Sequence, residues 1–185
     1  MGRAGLTGGH LDTATPGSRT WSVTARDGAG NAASVTRHYT VAAAGVRVRP
    51  DAAIRLPGAA WTGNDVYGGP SRQTVRRHLT RGGTVVAVVR LQNDGSTADR
   101  LRVRGTVGSR AFRVTYRAAG RDVSRAVQRG TYRAARLAPG RSVLLRVRVT
   151  ATRAARAGAE RTVRVRAVSL VRPSLVDVVA LQVRR

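Results

Sequence analysis

The chain has 185 residues and a formal net charge of +25, and all 34 of its Lys or Arg residues are Arg. This length suits one domain with part of another, and a composition rich in Val, Thr and Gly favours strands and turns over helices. The absence of Cys excludes disulfides, thiolate metal sites and a Cys nucleophile.

Residues 20–41 have the alternation of a β-hairpin. Trp21 and Val23 alternate with polar residues, the segment 27–31 has turn chemistry, and Val35 lies on the apolar side of the second strand. Two strands alone cannot bury both sides of a core. We therefore expect this hairpin to need partners, either from upstream or from the following module.

The same region contains motifs of a known family. Leu11 to Gly17 reads L-D-T-A-T-P-G, residues 27–31 read D-G-A-G-N, and residues 39–41 close with Y-T-V. These motifs resemble the C-terminal half of hyalin-repeat and bacterial immunoglobulin-like (Ig-like) modules, although Arg37 stands where an apolar residue is usual. The resemblance implies that residues 1–44 are the end of a truncated module.

From residue 50 onward, short strands recur at intervals of about 10 residues, which is typical of all-β domains. The pattern of apolar residues predicts strands over 52–56, 84–92, 101–103, 112–116, 143–149, 163–167 and 175–183, with strict alternation over 143–149 and a largely apolar last strand. Asn93-Asp94-Gly95 predicts a hairpin turn, because these residues tolerate positive φ. We predict a linker over 45–49 and an Ig-like antiparallel β-sandwich over 50–185.

Turn motifs in this second segment also resemble a known group. The residues concerned are Gly82-Gly83-Thr84, Gln92 to Gly95, Leu137 to Gly140 and Asp65-Val66-Tyr67. They resemble the extracellular Ig-like repeats related to CARDB and NPCBM-associated domains. The resemblance implies a sandwich that acts as a spacer or accessory domain in secreted and cell-surface proteins.

The long loop over 57–73 is a candidate ligand loop, since it contains Trp61, Asn64, Asp65 and Tyr67. Aromatic faces beside amide and carboxylate groups are what a carbohydrate site uses, because sugar C–H faces stack on rings. The alternative is that the two rings cap the end of the sandwich core.

Arginines alternate with Val on several strands, which places them on the face opposite the core. They are Arg102, Arg104, Arg146, Arg148, Arg164 and Arg166. If the strands are neighbours, one sheet presents a guanidinium-rich face that could bind cell-wall polysaccharide, nucleic acid or another polyanion. The alternative is a solvated outer face enriched in Arg by GC-rich codon usage.

Nothing in the chain has the pattern of a catalytic, metal or cofactor site. His10, His38 and His78 are isolated, and no nucleophile elbow, phosphate loop or zinc motif occurs. The turn over 27–31 offers few oxygen ligands for Ca²⁺. We predict a protein that is not an enzyme.

The expected location is extracellular or at the cell surface, as part of a longer chain. The chain contains no run of about 18 apolar residues, so no membrane span is predicted. The N-terminus lacks the apolar region of a signal peptide, which we attribute to a chain that begins within a module. We expect a structural, spacer or interaction module joined to neighbouring modules. The alternatives are a carbohydrate-binding accessory module and a polyanion-binding module.

Overall fold

The computed structural model describes residues 5–42 and 45–185. The chain divides into two compact units, Met1–Gly45 and Val46–Arg185. It is nearly all β, which confirms the predicted all-β, Ig-like sandwich class.

The first unit is a three-stranded antiparallel sheet. Its strands are β1 (Gly5–Gly8), β2 (Gly17–Arg26) and β3 (Ala32–Val41), in the order β1-β2-β3. The sequence predicts the β2–β3 hairpin but not β1, which pairs with β2. None of the side chains that the structure describes in this unit is buried.

The second unit contains ten strands, one short α-helix and a 3₁₀ turn at Pro70–Arg72. The strands are β4 (Pro50–Arg55), β5 (Thr74–His78), β6 (Thr84–Asn93), β7 (Asp99–Gly105), β8 (Phe112–Ala118), β9 (Arg121–Asp122), β10 (Tyr132–Leu137), β11 (Ser142–Ala151), β12 (Glu160–Ser169) and β13 (Val176–Arg184). The sequence did not predict the short helix, α1 (Ser124–Arg129).

These strands form two five-stranded sheets. One has the order β10-β7-β12-β13-β5 and is called the β7–β12 sheet here; the other has the order β4-β6-β11-β8-β9 and is called the β6–β11 sheet. Every pairing is antiparallel except that of β13 with β5. The two sheets share one core, in which inward side chains alternate with outward ones as in a sandwich.

The core positions that alternation predicts are all buried. They are Val85, Ala87, Val89, Leu91, Leu101, Val103, Phe112, Val114, Val147, Val149, Val163 and Val165. Period-2 alternation identifies them correctly because each strand has one face against the core and the other against solvent.

Asn93-Asp94-Gly95 is not the hairpin turn that the sequence predicts. It joins β6 in one sheet to β7 in the other, and none of the three residues has positive φ. The Asn93 side chain is buried and donates hydrogen bonds to the carbonyls of Thr97 (2.8 Å) and Leu137 (2.9 Å). Asn therefore supplies hydrogen bonds to a crossover between sheets, rather than a left-handed backbone.

The segment over 46–49, which the sequence suggests as part of a linker, is hydrogen-bonded to the second unit. Ser96 N donates to the Arg47 carbonyl (2.7 Å), and Asp94 N donates to the Arg49 carbonyl (2.8 Å). Gly95 is needed here, since a Cβ at that position would lie 2.5 Å from the Arg47 carbonyl oxygen. These residues extend the sandwich to Val46.

Candidate functional site

The outer face of the β7–β12 sheet is covered by arginine. The outward positions of β7 are Arg100, Arg102 and Arg104, all exposed. On β12 the exposed outward positions are Glu160, Arg164 and Arg166. We call this the β7–β12 face and define it by Arg100, Arg102, Arg104, Arg133, Arg136, Arg164 and Arg166. Outward residues recur about every 7 Å along a strand and about every 5 Å between strands, so the guanidinium groups form a dense array.

Strand register places these arginines opposite one another. Arg104 pairs with Arg166 across β7 and β12, and Arg102 pairs with Arg133 across β7 and β10. The ion pairs among the described residues are Arg19–Asp12 and Arg184–Glu160. The second lies at one end of the outer side of this sheet, but none of the arginines that define the face forms an ion pair. Like charges that lie directly opposite one another are destabilising. Because these arginines have no carboxylate partner, nothing within the face offsets that repulsion.

A shallow groove runs across this face. Its lining includes Arg104, Thr106, Gln128, Arg164, Arg166 and Val178. The side chain of Arg104 lies over Gly130, the residue that ends α1 with φ of 73°. The helix that the sequence did not predict therefore supports one wall of the groove.

Arg146 and Arg148 do not lie on the same face as the other four predicted arginines. Both are on β11, which belongs to the β6–β11 sheet, so they project from the opposite side of the sandwich. The expectation of one six-arginine face is wrong, because alternation places a side chain relative to its own core but does not say which sheet its strand joins.

Sequence reasoning missed arginines on both sides. Arg113 and Arg117 alternate with core residues on β8, so the pattern that identified Arg146 could have identified them. Arg133 and Arg136 lie on β10, which has no clean alternation because the register shifts between these two residues. No local signal identified them.

The aromatic side chains of the candidate ligand loop are stacked on arginine. Arg55 Cζ lies 4.4 Å and Arg90 Cζ 5.0 Å from the ring centroid of Trp61, and Arg49 Cζ lies 4.6 Å from that of Tyr67. Neither ring belongs to the buried core cluster. Cation–π contacts of this kind occupy ring surface that a sugar would need for stacking.

The polar residues of this loop bond to one another. Asn64 donates to the Asp65 carboxylate (2.6 Å) and accepts a hydrogen bond from Arg90. The Tyr67 hydroxyl donates to Asp94 Oδ2 (3.0 Å). The structure thus brings together all of the predicted loop residues, but in a network that is already satisfied internally.

Buried carboxylates lie beneath this loop. Asp177 accepts hydrogen bonds from Ala52 N (2.7 Å), Gly68 N (2.9 Å) and Gln73 Nε2 (2.7 Å), and burial raises its pKa nonetheless. Asp51 is fully buried, and neither of its oxygens has a hydrogen-bond partner. Sequence reasoning missed both residues, because an Asp beside an apolar run gives no sign that a distant loop will cover it.

Burial, with the nearby carboxylates of Asp94 and Asp177, raises the pKa of Asp51 to about 7. Because no donor bonds to the Asp51 side chain, the protonated carboxyl costs less free energy to bury than the ionised carboxylate would. Among residues 9–42 and 45–185, no three His, Asp or Glu side chains are grouped to hold a metal ion.

The turn over 27–31 is satisfied by its own Asp. Asp27 Oδ1 accepts hydrogen bonds from the backbone of Ala29 and Asn31 (both 2.9 Å), and Oδ2 accepts one from Asn31 Nδ2 (2.7 Å). These bonds lower the pKa of Asp27. This is the geometry of an Asx turn.

No helix in the part of the chain that the structure describes is long and apolar enough to cross a membrane. In comparisons with known proteins, no protein-family model matches the chain. No curated protein matches its sequence either.

Proposed function

We propose that this chain is a non-catalytic structural and interaction module of a secreted or cell-surface protein, and that it binds an anionic polysaccharide through the β7–β12 face. The location and the modular role follow from the resemblance to hyalin-repeat and CARDB-related modules. The ligand class follows from the arginine array.

The observation that supports this proposal is the pairing of arginines without carboxylates. Arg104 lies opposite Arg166 and Arg102 opposite Arg133, and none of them has an ion-pair partner among the described residues. Codon usage could enrich Arg on any exposed strand face, and the control variant described below separates that effect from a dedicated array. A guanidinium forms bidentate hydrogen bonds with phosphate, sulfate and carboxylate groups. A polymer that carries such anionic groups would therefore relieve the repulsion between the paired arginines.

A polysaccharide suits the face better than a nucleic acid. Proteins that bind single strands stack bases on aromatic side chains interleaved with basic ones. In this unit Phe112 and Tyr116 are buried in the core, Tyr132 is partly buried against it, and Trp61 and Tyr67 are stacked on arginine. Each aromatic ring of this unit therefore packs on the core or against an arginine, and none is left free beside the face for base stacking.

The alternative of a sugar site on the 57–73 loop receives less support. Trp61 already contacts Arg55 and Arg90, and Tyr67 already contacts Arg49 and Asp94. The loop is better suited to covering β4 than to holding a ligand.

The experiment measures the affinity of the full chain for heparin, used as a probe, over a range of NaCl concentrations. One variant replaces Arg102, Arg104, Arg164 and Arg166 with Thr. The matched control replaces the same number of exposed arginines outside strands, namely Arg72, Arg110, Arg141 and Arg156.

We expect the face variant to lose affinity at least about tenfold more than the control, and to show the shallower salt dependence, since fewer counterions are exchanged on binding. Equal losses in the two variants would mean that the charge acts diffusely, and would overturn the proposal. Circular dichroism melts establish that both variants remain folded.

A further inference from the structure

We propose that the sandwich bridges two anionic polysaccharide chains, one on each of its outer sheet faces. This inference rests on the proposed function and extends it to a second surface, on the β6–β11 sheet.

The second surface is an arginine array on β8 and β11. We call it the β8–β11 face and define it by Arg113, Arg117, Arg146 and Arg148, all of them exposed. Arg117 lies directly opposite Arg146 on β11, which repeats the like-charge pairing of the first face, and opposite Asp122 on β9 at the edge of the sheet. None of these arginines forms an ion pair among the described residues.

This face also has a groove of its own. The groove is lined by Arg117, Ala119, Gly120, Leu144, Arg146 and Arg148. Arg117 donates to the Gly120 carbonyl (2.8 Å), which holds its side chain along the turn between β8 and β9. The guanidinium groups of Arg146 and Arg148 have no hydrogen-bond partner among the described residues, so they remain available to an anion.

The two faces cannot cooperate on one anionic group. The inward residues of β11, such as Val147, and those of β12, such as Val165, lie in the same buried core. Packed sheets are about 10 Å apart, and outward side chains point away from each other. Each face therefore requires its own stretch of polymer.

The chemistry of the occupant is the same on both sides. Each face has several exposed arginines and one carboxylate at its edge, Glu160 on one and Asp122 on the other, so both faces suit closely spaced sulfate, phosphate or carboxylate groups. A rigid domain with two such faces can hold two separate molecules of the same polysaccharide. Divalent binding of this kind would make the domain a cross-link.

The experiment is a sandwich capture with the full chain. The protein is bound to immobilised heparin, free protein is washed away, and labelled soluble heparin is passed over the surface. Four proteins are compared: the wild type, the β7–β12 variant and the control variant described above, and a variant with Thr in place of Arg113, Arg117, Arg146 and Arg148.

We expect the wild type and the control to capture soluble heparin. Either face variant should still bind the surface at low salt through its remaining face, the β7–β12 variant more weakly. At equal loading each should capture at least about tenfold less than the wild type, because only one polymer-binding face remains. Each variant must first show a cooperative melt. If a variant with Thr does not, the same four arginines are replaced with Gln instead.

The outcomes separate the two proposals. If the wild type does not bind immobilised heparin, the proposed function fails. If the wild type binds immobilised heparin but captures no soluble heparin, binding through one face stands and bridging is wrong. A single heparin chain that wraps both faces would give this same result. Undiminished capture by the β8–β11 variant also overturns bridging. Equal capture of labelled duplex DNA would overturn the assignment to polysaccharide.

Discussion

The ring of Tyr116 packs so closely on Gly105 that a Cβ at position 105 would lie 2.5 Å from Tyr116 Cζ. Tyr116 is on β8 of one sheet, and Gly105 ends β7 of the other. The Tyr116 hydroxyl donates to the Thr106 carbonyl (2.7 Å). One buried side chain thus fixes the separation of the two sheets at this end of the sandwich.

Gly105→Ala should therefore destabilise the second unit by about 1 to 3 kcal/mol, because the added Cβ would overlap the buried side chains of Tyr116 and Val127. Urea unfolding measures the change. Gly69→Ala is the control, since a Cβ there would meet nothing within 4 Å and the backbone φ of −84° suits Ala. Equal effects of the two substitutions would show that the contact is not tight in solution.

Val147→Ala should reduce the free energy of unfolding by about 1 to 3 kcal/mol, through lost burial and the cavity left behind. Val147 is 1% exposed at the centre of the core. Val86→Ala is a matched control on β6, where the side chain faces outward and is only half-buried. A neutral effect at position 147 would reverse the assignment of faces.

Asp51→Asn should stabilise the protein at alkaline pH and have little effect near pH 4. The folded-state pKa of about 7 lies above the usual pKa of 3.8 for an Asp side chain, so the folded state retains a proton that the unfolded state has released. Stability should fall as pH rises between those values and remain low above them. Asn cannot ionise, so its advantage should reach a few kcal/mol at about 1.4 kcal/mol per pKa unit.

Thermal melts at about pH 5 and pH 8 test this expectation. The charged groups near Asp51 are Asp94, Asp177 and Asp65, which oppose its ionisation, and Arg90, which favours it. Asp122→Asn is the control, because hydrogen bonds from Ser124 lower the pKa of that exposed carboxyl. If Asp51→Asn shows no greater gain at the higher pH, then Asp51 is ionised and solvated in solution.

Arg166→Thr should increase stability at low salt by about 0.2 to 1 kcal/mol, because it removes the charge opposite Arg104. The wild type should gain stability as NaCl rises from low to moderate concentration. Salt screens the repulsion among its exposed charges, with a screening length of about 10 Å at 0.1 M. The variant should gain less. Arg141→Thr, at an exposed turn position, should leave the salt dependence unchanged.

Residues 1–45 should not melt cooperatively when expressed alone, whereas residues 46–185 should. The first unit has no buried side chain among those described, and small sheets need a hydrophobic face to be stable. The second fragment should begin at Val46, because Arg47 and Arg49 are hydrogen-bonded to residues 94–96. Circular dichroism melts of both fragments give the answer, and a sharp transition in residues 1–45 would refute it.

The sequence by itself determined the all-β class, most of the strands and the face of each strand that packs inward. Val147 and Arg146 could be assigned to opposite faces because alternation is a local property, readable over a few residues. The same local property could not say that Arg146 and Arg166 lie on opposite sides of the molecule. Sheet membership depends on connections such as 93–95, whose Asn, Asp and Gly suit a hairpin and a crossover equally well.

Only the tertiary structure decided which side chains meet. Arg104 faces Arg166 because non-local register aligns β7 with β12, and Asp51 is buried because a loop folds back over β4. The loop residues Trp61, Asn64, Asp65 and Tyr67 were correctly grouped from sequence because they are close along the chain. Their partners Arg55, Arg90 and Asp94 were not found, because pairing across strands has no signature in a single segment.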